Sequence, residues 1–265
     1  RYDHRTIDNG AAGLNTIPNN WIHHNALAVF GKDYSDMSDE EKYKANGVLD
    51  YTKWTPPPYV NHYKNINFNQ YKPYIFISNH YNIEHGHPPI GYFEIFNYLT
   101  EKGYSVIYKR PMNTEFPLDQ NEHNSLTQGF TNITAEVEGI GMITDYQLTE
   151  YYDNVILLDD IIKQEKTESD INLYNEIQLK LFAQADGFIS ISGGSTLLTS
   201  YFEKPNISYF TTHTECSRPG YFGEDNYYRK LSNHKFYPIL DPEQEIEKRG
   251  NRDYTEFLQT IKEVF

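Results

Sequence analysis

The stretch that most narrows the fold is Gly187 to Tyr209, GFISISGGSTLLTSYFEKPNISY. An apolar run of Phe188, Ile189 and Ile191, too short for a helix, stops at Ser192-Gly193-Gly194-Ser195-Thr196. Leu197, Leu198, Tyr201 and Phe202 then follow at helical spacing. The pattern predicts strand, tight turn and helix. Lys204-Pro205 ends the helix and Asn206 to Phe210 begins another strand, completing a βαβ unit. Paired glycines let the backbone bend sharply and approach a ligand, and the first helical amides, without carbonyl partners, face the gap. Phosphate suits that position, because free amides and the positive end of the helix dipole act together on an anion. A plain glycine turn between core elements would leave the same sequence trace.

The same reading extends to both sides of this unit. Tyr74 to Ser78 and Tyr104 to Tyr108 are predicted strands separated by a helix from Gly91 to Lys102, with Gly103 as its stop. Asn154 to Leu158 is a strand and Ile171 to Ala185 a helix, with Leu173, Ile177, Leu181, Phe182 and Ala185 on one face. Phe236 to Leu240 is a late strand and Tyr254 to Phe265 a terminal amphipathic helix. Strands alternating with helices imply α/β architecture with parallel sheets. Before Tyr71 only Ser38 to Asn46 carries a helix signature, with Ser38 as N-cap and Asp39, Glu40 and Glu41 in the first turn. Trp54 to Tyr59, with three consecutive prolines, is extended, as a surface strap or a cleft wall. Residues 112 to 150 show no clear period, and a boundary between two Rossmann-like halves is expected there or just after.

The 265 residues suffice for one large domain or two small ones. With 37 acidic against 23 basic residues the net charge is -14, which opposes a nucleic-acid partner, since phosphate backbones demand clustered Lys and Arg. No run approaches the roughly 20 apolar residues of a membrane span. A soluble protein is expected, cytoplasmic in a host or producing cell, with any upstream anchor lying outside a sequence that begins at Arg1. One cysteine, Cys216, excludes an internal disulfide and a cysteine-based zinc site, and Glu215 beside it opposes a reactive thiolate.

Four groups could do chemistry. After the first strand, Ser78-Asn79-His80-Tyr81-Asn82-Ile83-Glu84-His85-Gly86-His87 forms a polar loop at a strand's carboxyl end, where open α/β sheets place ligands. Glu84, His85 or His87 can take a proton from a hydroxyl, the histidines with Glu84 could instead hold a metal, or they could simply shape the loop. Lys109-Arg110 follows the second strand. Arg110 is either a fork for a diphosphate or the partner of an acidic neighbour. Asp159-Asp160 could hold a metal ion or cap a helix. Finally, residues 211 to 225 offer hydroxyls and Glu215 for a sugar or ribose, Arg218 for a phosphate and Tyr221 for stacking.

Taken in order, ISNHYNIEHGHPP, VIYKRP, NEIQLKLFAQADGFISISGGSTLLTSYF and PNISYF resemble the GT-B-type glycosyltransferases of large DNA viruses and bacteria, including chlorovirus β-xylosyltransferase-like enzymes. His80 and His85 stand where that family often carries Lys and Trp. The resemblance implies two small Rossmann-like domains facing a cleft, residues 1–150 binding the acceptor and 151–265 the nucleotide-sugar. It implies transfer of a sugar such as xylose from a UDP-linked donor to a glycan hydroxyl, inverting and without a metal or other cofactor. Glu84 is then the base, with His85 and His87 behind it. By the resemblance Gly193, Gly194, Ser195 and Thr196 become diphosphate contacts, and the residue reading adds Arg110, Arg218, Glu215 and Tyr221 as donor contacts. Three other accounts are a metal-dependent GT-A-like transferase using Asp159 and Asp160, a non-catalytic glycan binder using the many tyrosines, and a metal-dependent hydrolase using the histidine loop.

Overall fold

The computed structural model describes residues 36, 38, 59–63, 68–79, 91–110, 134–165, 171–192, 194–210, 229, 232–233, 235–241 and 254–265. Its strands are β1 (Tyr74–Ser78), β2 (Ser105–Lys109), β3 (Thr134–Val137), β4 (Gly141–Thr144), β5 (Val155–Leu157), β6 (Gly187–Ile191), β7 (Asn206–Phe210) and β8 (Phe236–Leu240). The helices are α1 (Tyr59–Tyr63), α2 (Tyr92–Glu101), α3 (Asp145–Leu148), α4 (Leu158–Glu165), α5 (Ile171–Gln184), α6 (Gly194–Ser200) and α7 (Thr255–Val264).

Six strands form one sheet in the order β5-β2-β1-β6-β7-β8, with every pairing parallel. β3 and β4 make a separate antiparallel pair. Strands β1, β6 and β7 are buried along their whole length, which is why they read as nearly continuous apolar runs rather than alternating ones. Numbered within the sheet alone, the order is 3-2-1-4-5-6, that of the doubly wound nucleotide-binding fold.

Helices cover both faces. On one, Tyr92, Ile95, Phe96 and Leu99 of α2 recur at three- and four-residue spacing and pack with Phe257 and Ile261 of α7 against Ile75, Ile77, Val106 and Tyr108. Gly103, at φ 86°, then ends the α2 turn in a conformation that costs glycine little. On the other face, Ile161 and Ile162 of α4, Ile177, Leu181 and Phe182 of α5, and Leu198 of α6 pack against Phe76, Ile107, Phe188 and Phe210. The Phe76 and Phe182 rings meet edge to face at 4.6 Å. Each such side chain contributes about 1.5 to 3 kcal/mol on burial.

The division expected at residue 150 falls between β2 and β5, which are hydrogen-bonded neighbours in the six-stranded sheet, while β3 and β4 stand apart from it. The unpatterned segment before residue 150 contains the β3–β4 hairpin, whose Gly139 and Gly141 both have positive φ. The helix expected over Ser38 to Asn46 and the extended run Trp54 to Pro58 lie outside the described residues, except for Ser38 itself. Tyr59 opens α1.

At the outer edge, β8 bonds β7 through Lys235 and Asp241. The alternation therefore turns Pro238 outward, and an edge residue without an amide blunts the sheet against further strand addition.

Candidate functional site

The strand order reverses between β1 and β6, since the chain leaves β1 for β2 through α2 on one face and leaves β6 for β7 through α6 on the other. A crevice at the carboxyl ends of those two strands is where open α/β sheets take ligands. Ser78 at the end of β1 pairs in register with Ser190 of β6. The histidine loop leaves β1 one residue beyond Asn79, and the glycine turn leaves β6 after Ser192. The strands that precede these two segments, β1 and β6, are neighbours about 4.8 Å apart. Glu84, His85 and His87 lie outside the described residues, as do Gly193, Glu215, Cys216, Arg218 and Tyr221.

On the α6 face, the glycine turn is anchored from below. Thr196 is buried, and its hydroxyl lies 2.8 Å from both Ser190 Oγ and Ser208 Oγ and 3.1 Å from the Ile191 carbonyl. Asn206 Nδ2 donates to the Thr196 carbonyl at 3.2 Å and to Ser200 Oγ at 3.0 Å. These bonds tie α6 to β6 and β7. The Thr196 side chain is consequently turned into the fold, which leaves its backbone amide, with those of Gly194 and Ser195, as what the turn can offer an anion. Ser195 is half-buried.

The opposite face carries a buried polar group centred on Asp145, a residue that the sequence did not single out. Asp145 Oδ2 accepts from Asn79 Nδ2 at 2.9 Å and from the Tyr108 hydroxyl, which lies very close, and it forms an ion pair with Arg110, whose Nε stands 2.7 Å away. Asn79 Nδ2 also donates to the Tyr108 hydroxyl at 2.8 Å. Asp145 is held in the first turn of α3 by a capping box in which Thr144 Oγ1 accepts from the Gln147 amide at 3.1 Å and Gln147 Oε1 accepts from the Thr144 amide at 3.2 Å. Of the two roles open to Arg110, pairing with an acidic neighbour is the one its surroundings support. The guanidinium and the Asp145 carboxylate are both fully buried, so the cation is already matched.

Lys109 goes the other way. Consecutive strand residues point to opposite faces, so Lys109 lies on the α6 side, where its ammonium stands 5.9 Å from the Tyr174 ring centre. The alternation was legible in the sequence, but which face carried the glycine-turn helix was not.

Asp159 and Asp160 occupy the first turn of α4, where carboxylates complement the helix dipole. They follow β5, an edge strand two positions from β1 and about 10 Å from the crevice along the sheet. Burial raises the Tyr146 phenol pKa, and the carboxylates of Asp160 and Asp159 raise it further. No cluster of three or more His, Cys, Asp or Glu able to hold a metal occurs among the described residues, and no helix there is long and apolar enough to cross a membrane.

Part of the tyrosine content has a structural use. Tyr74, Tyr92, Tyr108, Tyr201 and Tyr209 are among the largest fully buried side chains. These rings fill the interior and are not displayed for stacking on a glycan.

No protein-family model matches the chain, and no curated protein matches it. Among solved structures, E. coli heptosyltransferase WaaC with ADP is similar at 16% sequence identity with a TM-score of 0.44, over 85% of this chain and 56% of that one. This chain therefore spans just over half the length of that protein.

Proposed function

We propose that the protein is a glycosyltransferase that holds a nucleotide-sugar at the carboxyl ends of β1 and β6. The observation that supports this reading is the pairing of Ser78 with Ser190, which makes neighbours of the two strands that the histidine-rich and glycine-rich sequences follow, at the reversal of strand order. A phosphate-bearing donor and a hydroxyl to be activated are the two things such a crevice is equipped to receive. The sequence resemblance to GT-B-type enzymes supplies the reaction class, with UDP as the expected nucleotide and xylose among the candidate sugars.

In the proposed reaction an acceptor hydroxyl loses its proton to Glu84 as its oxygen bonds to the anomeric carbon. The bond from that carbon to the diphosphate breaks, the configuration inverts, and the nucleoside diphosphate leaves with the bonding pair. His85 and His87 stand next in line as bases. Amides of Gly194 to Thr196 and the Arg218 guanidinium meet the developing charge, as preorganised donors do for any leaving anion. No catalytic metal or other cofactor is invoked.

The test is a panel of UDP-, GDP- and ADP-sugars, scored by thermal shift and by transfer to glycan acceptors. One nucleotide series should raise the midpoint, by roughly 2.7 kcal/mol of apparent stability at a hundredfold excess over Kd, and its sugar should be transferred. Absence of both responses throughout the panel would overturn the proposal.

A further inference from the structure

The α6 face of the sheet changes character one row from its carboxyl edge. Ile107, Phe76 and Phe188 stand side by side on β2, β1 and β6 in the apolar core. Two residues on, the same positions are taken by Lys109, Ser78 and Ser190, and Ser208 continues the row on β7. A polar row crossing the middle of a buried parallel sheet is costly unless its groups find partners. Ser190 and Ser208 do so through Thr196. Ser78 does not: it is 2% exposed and its Oγ has no hydrogen-bond partner. Beside it Lys109 has no carboxylate partner among the described residues, and its ammonium is held toward the helix side near Tyr174.

We infer that Lys109 and Ser78 are the cation and the hydroxyl that meet the diphosphate of the nucleotide ligand, in place of Arg110. The inference rests on the function proposed above. Ser78 lies on the strand between Lys109 and the strand that leads into the glycine turn, so an anion seated at the turn on this face has both groups within the two strand spacings, about 10 Å, that separate β2 from β6. Arg110 is excluded from that duty by direction as well as by pairing, because the pleat sends it to the Asn79, Tyr108 and Asp145 side. Lysine suits the position as a mobile point charge on a flexible stem, able to follow phosphate oxygens without the fixed geometry a guanidinium imposes.

The experiment measures calorimetric binding of inorganic pyrophosphate and of UDP, GDP and ADP to the full chain and to Lys109→Met, Lys109→Arg and Ser78→Ala. Lys109→Met should weaken binding by about 10- to 100-fold, the range of a lost charge-assisted contact, and should flatten its salt dependence, while the midpoint without ligand stays at the wild-type value. Lys109→Arg should retain most of the affinity, and Ser78→Ala should lose several-fold. If a nucleoside diphosphate binds wild type and Lys109→Met equally, the inference is overturned and the proposed function stands. If pyrophosphate binding depends on Lys109 but no nucleotide binds, the anion site is supported and the nucleotide reading fails. If neither ligand binds wild type, both fail.

Discussion

Arg110 and Asp145 form an ion pair at 2.7 Å with both side chains fully buried, between the end of β2 and the first turn of α3. Removing one partner of such a pair strands the other charge in a medium that cannot solvate it. Asp145→Ala should therefore cost about 3 to 5 kcal/mol, read from urea unfolding. The double replacement Arg110→Met with Asp145→Leu should recover most of that loss. A single variant as stable as wild type would show that the pair does not hold α3.

Thr196 tests the hydroxyl cluster beneath the glycine turn. Thr196→Val keeps the shape but deletes the group that joins Ser190, Ser208 and the Ile191 carbonyl. Stability should fall by about 1 to 3 kcal/mol, the cost of leaving buried hydroxyls unsatisfied. Thr196→Ser should fall less. Equal losses for the two, measured by thermal unfolding, would assign the effect to the methyl group instead.

Tyr74 sets an alkaline limit. Its phenol is fully buried and donates to the Leu181 carbonyl at 2.6 Å; burial first, and the Asp186 carboxylate second, raise its pKa well above the ordinary value. A group whose pKa is raised on folding lends stability that is fully present below its unfolded pKa, about 10, and drains away as pH rises beyond it. Unfolding midpoints from pH 8 to 11.5 should decline, and Tyr74→Phe should flatten the decline by up to one proton's worth, about 1.4 kcal/mol per pH unit. Parallel curves for the two proteins would remove Tyr74 from that role.

A Cβ on Gly187, at the start of β6, would overlap the ring of Phe265 and press to 3.2 Å from the Pro205 carbonyl. Gly187→Ala is expected to cost about 1 to 3 kcal/mol by overpacking. Because the nearer obstacle is the ring of the last residue, Phe265→Ala in the same chain should relieve part of the cost, a coupling that a double-mutant cycle on urea midpoints would expose.

Glu84→Gln separates chemistry from binding. A positioned base contributes about 10² to 10⁴ in rate, so turnover should drop by that range with nucleotide affinity unchanged. Wild-type turnover would move the role to His85 or His87.

Much of the architecture could be read directly from residue patterns. The βαβ unit around Gly193 and Gly194, the α2 helix ending at Gly103, and the strands Tyr74–Ser78, Asn206–Phe210 and Phe236–Leu240 all stand where apolar runs and stop signals put them. Those features are local, and local periodicity records them. The β3–β4 hairpin escaped because it is short, carries Glu136 and an exposed Met142, and lacks a continuous apolar face.

The sequence by itself determined that strands and helices alternate, that the strands lie in parallel, and that small residues follow β6 while histidines follow β1. Tertiary structure alone decided that these two segments leave neighbouring strands, that one sheet spans residue 150, and that Lys109 and Arg110 serve opposite faces. The reason is that a strand's neighbours are set by how crossovers pack over long separations, and nothing in the 111 residues between Ser78 and Ser190 marks them as a pair.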